Sequence, residues 1–64
     1  MWVKTADGDM LNLDRAYAVV YIKPDDITVA MTAESDDYVK IADGDYTAVI
    51  AEAIYKGRTY IGVR

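Results

Sequence analysis

Tyr38-Val39-Lys40-Ile41-Ala42-Asp43-Gly44-Asp45-Tyr46 rewrites, with few changes, the segment Trp2-Val3-Lys4-Thr5-Ala6-Asp7-Gly8-Asp9-Met10. Each copy is an extended run closed by an Asp-Gly turn, and the residues after each turn decide the fold. After the second turn, Tyr46, Val49, Ile50, Ala53 and Ile54 recur at the spacing of one helix stripe. Asp45 is placed to cap that helix, because its carboxylate can accept the unpaired amides of a first turn. Gly57 stands where a left-handed residue would close it, between Lys56 and Arg58. After the first turn the period is two instead. Leu11 and Leu13 alternate with Asn12 and Asp14, which is the pattern of a strand. Asp7-Gly8 between two such runs predicts a hairpin with a type I′ turn. The flanks of the two copies do not match, so they are two turns of one kind and not units of a solenoid, which needs about three or more repeats.

Between the copies lie two longer alternating runs. In the first, Ala16, Ala18, Val20 and Ile22 share one face, and Tyr17, Val19 and Tyr21 share the other. Both faces are apolar, so each needs cover. Pro24-Asp25-Asp26 ends the run, since Pro suits a turn and cannot donate to a central ladder. In the second run Ile27, Val29, Met31 and Ala33 are expected inward, with Thr28, Ala30 and Thr32 outward. Glu34-Ser35-Asp36-Asp37 predicts a further turn. The strands are expected at about 2–6, 10–14, 16–23, 27–33 and 38–42, the helix at about 46–56, and an edge strand at 59–63.

The predicted fold is therefore α+β within one small domain: an antiparallel meander of four or five strands, or a partial barrel, with a C-terminal helix across one face. Val3 or Trp2, Leu11, Leu13, Val20, Ile22, Val29, Met31, Val39, Ile41, Val49, Ile50 and Ile54 would form its core. The helix covers one face only. The Tyr17, Val19 and Tyr21 face is then left open, which makes these three residues the expected interface.

The opening Trp2-Val3-Lys4-Thr5-Ala6-Asp7-Gly8, followed by Leu11-Asn12-Leu13-Asp14, resembles the start of a group of short bacterial and phage-borne proteins. Those proteins open with an aromatic residue, Val, Lys or Arg, Thr, then Asp-Gly and Asn-Leu-Asp. The likeness spans residues 2 to 14. It implies several strands followed by one helix, and it brings no activity with it.

Composition narrows the function further. The 64 residues include no Cys and no His, so disulfides, thiolate chemistry and the usual zinc ligands are missing together. Seven bases against eleven acids give a net charge of −4, and no basic stripe exists to follow a phosphate backbone. No nucleic-acid partner is expected. Nor is a membrane, because no apolar run nears the roughly 20 residues a bilayer needs; a cytoplasmic location follows as the expectation. Asp7-Gly8-Asp9 and Asp43-Gly44-Asp45 suggest calcium, but neither continues to the bidentate Glu of a calcium loop. Catalysis lacks its commonest base and its best nucleophile. No enzyme, cofactor or metal site is therefore expected.

Six Tyr and one Trp are many for this length. Aromatic residues without a basic groove suit a protein interface. A chain of this size buries only about 60% of its unfolded surface. The reading is a non-enzymatic interaction module, self-associating as a homodimer through the tyrosine face or a strand edge, with an unidentified protein partner as a further possibility. The alternative is an acidic inhibitor that mimics nucleic acid and binds a basic cleft on a nucleic-acid enzyme.

Overall fold

A computed structural model describes residues 1–33 and 37–63. The turn expected at Glu34, Ser35 and Asp36 lies outside the described residues. The elements run β1 (Trp2–Lys4), β2 (Met10–Asn12), a 3-10 turn (Leu13–Arg15), β3 (Ala16–Ile22), β4 (Ile27–Thr32), β5 (Tyr38–Asp43), α1 (Thr47–Tyr55) and β6 (Tyr60–Gly62). The protein is α+β, but the strands do not form one meander. They make two three-stranded sheets, ordered β2-β1-β6 and β3-β4-β5. The second is an antiparallel meander. In the first, β1 pairs antiparallel with β2 and parallel with β6. The described strands close no barrel.

The first Asp-Gly turn is not type I′. Only Gly8 has positive φ, at 91°, and Asp7 does not share it. Gly8 N–H donates to Thr5 O (2.9 Å) and Thr5 N–H to Asp9 O (2.8 Å). This is a three-residue hairpin loop with glycine in the left-handed position. Thr5 is buried, and its Oγ1 accepts from Asp9 N–H (3.1 Å). That side-chain bond holds the wider loop closed, which a two-residue turn would not have needed.

Leu13 was expected in a strand and instead begins a 3-10 turn. Asn12 Oδ1 accepts from Asp14 N–H (3.1 Å), and Leu13 N–H donates to Met1 O (2.8 Å). The turn drops Leu13 into the core and redirects the chain from the first sheet to the second.

Two irregularities set the faces of β3-β4-β5. Between Ala16 and Ala18 the register against β4 shifts, which leaves Tyr17 as the extra residue. On β5 the register shifts between Lys40 and Ala42, which makes Ile41 the extra residue. A bulge adds one residue to one strand, so alternation slips by one. Ile41 and Ala42 are thus both buried, although they are adjacent in sequence.

The core joins Val3, Leu13, Ala30, Ile41, Ala42, Ile50, Ala53, Ile61 and Val63. It draws on both sheets and on the helix. The expected inward set of β3 and β4 is reversed. Thr28 and Ala30 are fully buried on the core side, with Val19 packed against them, whereas Val20 is 42% exposed. Val29 is buried but stands apart from the core cluster, beside Val20 and Lys40 on the opposite face. Small residues on the core side allow the helix to approach the sheet closely. Size and polarity in the sequence favour the opposite assignment; Thr28 is buried nonetheless because its hydroxyl finds partners at Gly44 and Tyr46.

Three polar contacts fasten β5 to α1. Thr28 Oγ1–H donates to Gly44 O (2.7 Å) and accepts from Tyr46 N–H (2.9 Å). Gly44 N–H donates to Asp26 O (2.7 Å). Gly44 takes the φ of 84° that this corner requires. Asp45 lies one residue before the formal cap, yet its Oδ1 accepts from both Thr47 N–H (3.0 Å) and Thr47 Oγ1–H (2.6 Å). The helix ends in a Schellman pair: Gly57 N–H to Ile54 O and Arg58 N–H to Ala53 O, both 3.0 Å, with Gly57 at φ 72°. Ile50 and Ala53 are buried along α1, while Val49 and Ile54, expected in the same stripe, are exposed.

Candidate interaction surface

The helix lies on one side of the second sheet and so leaves the other side without a helix over it. By register that side holds Ala18, Val20 and Ile22 of β3, Ile27, Val29 and Met31 of β4, and Tyr38 and Lys40 of β5. Val20 and Tyr38 are exposed, and Ile22, Ile27 and Met31 are half-buried. The charges at its margin compensate each other. Lys40 Nζ meets Asp43 Oδ1 at 2.8 Å. Their hydrogen bond holds the Lys40 ammonium above its usual range.

Tyr17, Val19 and Tyr21 do not form one open face. Tyr17 is the bulged residue and is 70% exposed. Val19 packs against the core. Tyr21 is half-buried, and its hydroxyl donates to Asp26 Oδ1 at 2.6 Å. This bond, ahead of burial and the neighbouring acids Asp26 and Asp45, raises the Tyr21 phenol above its ordinary value. Asp26 itself holds a positive φ of 53°, which aspartate tolerates better than most residues. The Tyr21 ring is therefore tied to the Pro24 turn.

A second feature lies beside β3. β3 and α1 together line an open groove of about 430 Å³, with Tyr17 and Val19 from the strand, Thr47, Ile50 and Ile54 from the helix, and Leu13 beside them. This groove has the volume of a small-ligand site but stands open to solvent. Among the described residues its lining holds no carboxylate, and the polar side chains there are Tyr17 and Thr47. The helix residues of this groove escaped the sequence reading. Ile54 was placed in the core stripe, and the small Ala51 gave no signal of its own.

The two acidic turns act within the fold. Asp43 pairs with Lys40, and Asp45 accepts from Thr47, which holds its carboxyl below the usual range. Among the described residues, no three His, Cys, Asp or Glu side chains gather as metal ligands. No helix among them is long and apolar enough to cross a membrane. The chain matches no protein-family model, no curated protein and no solved structure.

Proposed function

We propose that this protein is a non-enzymatic interaction module that works as a homo-oligomer, with the β3-β4-β5 sheet as the contact surface. The uncovered apolar side of that sheet carries the reading. It presents Val20, Ile22, Ile27, Met31 and Tyr38 around a buried Val29. Apolar surface of this kind on a small domain marks an interaction site. A second copy is the favoured occupant because the side is nearly neutral. In a chain of net charge −4, the Lys40–Asp43 pair cancels locally, so two copies can meet here without repulsion.

Sedimentation velocity across a range of protein concentrations tests the reading. The expected result is a mass that rises to that of a dimer. A monomer at every concentration ends it.

A second reading has its own observation. Gly44 N–H donates to Asp26 O (2.7 Å), which sets the Asp25-Asp26 turn beside Asp43-Gly44-Asp45 and gathers acids at that corner. An acidic corner suits a basic cleft on a nucleic-acid enzyme. Such a partner, captured from lysate, would be released by salt.

A further inference from the structure

β3 is an edge strand of seven residues, AYAVVYI, without one charge. Among the described residues its only ladder partner is β4. Natural edges are usually short, charged or interrupted by proline, because an open row of N–H and C=O groups invites another strand. This edge is blunted only by the Tyr17 bulge near its start. Residues 18–22 are regular. Beside that edge runs the apolar groove against α1, with Ile54 left 56% exposed on its rim. Unpaired backbone and an apolar groove thus stand together along one side of the molecule.

We infer that the self-association proposed above occurs by β3 pairing antiparallel with the β3 of a second copy, about a two-fold axis at Val20. The inference rests on the homo-oligomer reading and places the first contact along the edge of the sheet, which leaves its uncovered side continuous across both copies. The backbone groups call for a strand as the occupant. A second copy supplies such a strand without burying a charge, since β3 carries none. Pairing it reversed keeps Lys23 of the two copies at opposite ends of the seam, while parallel pairing would set Lys23 beside Lys23. In this register Val20 meets its own copy on the uncovered side, and Ala18 meets Ile22. On the helix side Val19 meets the second copy's Tyr21. That ring then covers the mouth of the groove, because Val19 lines it. Every cross-strand pair from 18 to 22 is apolar, which is the composition that stabilises a central seam. The two sheets become one, and both helices lie on the same side of it.

Three measurements test this. Amide exchange of residues 18–22 is expected to slow as protein concentration rises, at the amides that do not bond to β4. Val20→Lys sets two ammonium groups against each other on the axis. Because Val20 is already 42% exposed, this variant is expected to keep its circular dichroism and lose the dimer. Val20→Cys is expected to oxidise to a covalent dimer, since opposed residues at such an axis lie within disulfide reach. A dimer in which exchange along β3 ignores concentration, or one that survives Val20→Lys, overturns the β3 pairing and leaves self-association standing. A wild-type monomer overturns both.

Discussion

Thr28 does the most for its size. Its side chain is fully buried, and it satisfies one carbonyl and one amide at the joint between β5 and α1. Replacing it with Val keeps the shape and leaves both backbone groups without that partner. An unsatisfied buried group costs about 1–3 kcal/mol. Thr28→Val is therefore expected to lose about 3 kcal/mol in urea unfolding, a large share of the stability of a domain this small. A loss near zero would mean that water replaces the hydroxyl. Tyr21 offers a test in pH. Asp26 accepts its proton, so its folded pKa lies above the unfolded value. For a group shifted in this direction, the stabilisation is complete below the ordinary phenol value of about 10 and is lost as pH rises through the folded value. Absorbance titration should find one tyrosine ionising later than the others. Asp26→Asn should bring it back towards them while sparing the left-handed backbone that Asn also tolerates.

Among the elements, α1 is short and leans on its ends. Nine residues are too few for a stable helix in water alone, so tertiary contacts and caps must hold it. Ile50 and Ala53 provide the contact, and the Gly57 Schellman pair provides the stop. A Cβ at Gly57 would meet nothing within 4 Å, so substitution there is opposed by backbone conformation alone. Gly57→Ala is expected to cost about 1 kcal/mol, read as a lowered melting temperature with the fold retained. A variant as stable as the parent would show that the helix end does not depend on that left-handed residue. The edge strand β3 belongs to this scale as well. Its length and lack of charge are what make it a pairing edge, and the bulge at Tyr17 limits that pairing to residues 18–22.

At the scale of the whole molecule, two small sheets share one core. Val3, Ile61 and Val63 come from or beside the first sheet, and Ala30, Ile41 and Ala42 come from the second. Ala6 N–H also donates to Ile41 O (2.8 Å), a bond between the first hairpin and β5. Neither sheet can keep its apolar side dry without the other, so the two should unfold together. Trp2 reports on the first sheet. Its fluorescence transition in denaturant is expected to coincide with loss of exchange protection in β4. Separate midpoints would show that the sheets are independent.

Much of the fold was legible locally. The Asp-Gly turns, the Pro24 turn, the Gly57 stop and the change of period after Asp45 marked where strands and helix begin and end, because turn geometry and periodicity act over a few residues. Which side of β3 and β4 faces the core was not legible. Thr28 and Ala30 lie inward because one hydroxyl is needed at a joint sixteen residues away and small side chains let the helix settle. Tyr17 and Ile41 shift the alternation by a residue, and no local signal marks a bulge. The division into two sheets, with β6 parallel to β1, was also decided by the tertiary structure, since a strand's partner depends on where the intervening helix delivers the chain. The sequence by itself determined the kinds of elements and their order. Only long-range packing decided which faces were buried, and hence which edge was left to meet another molecule.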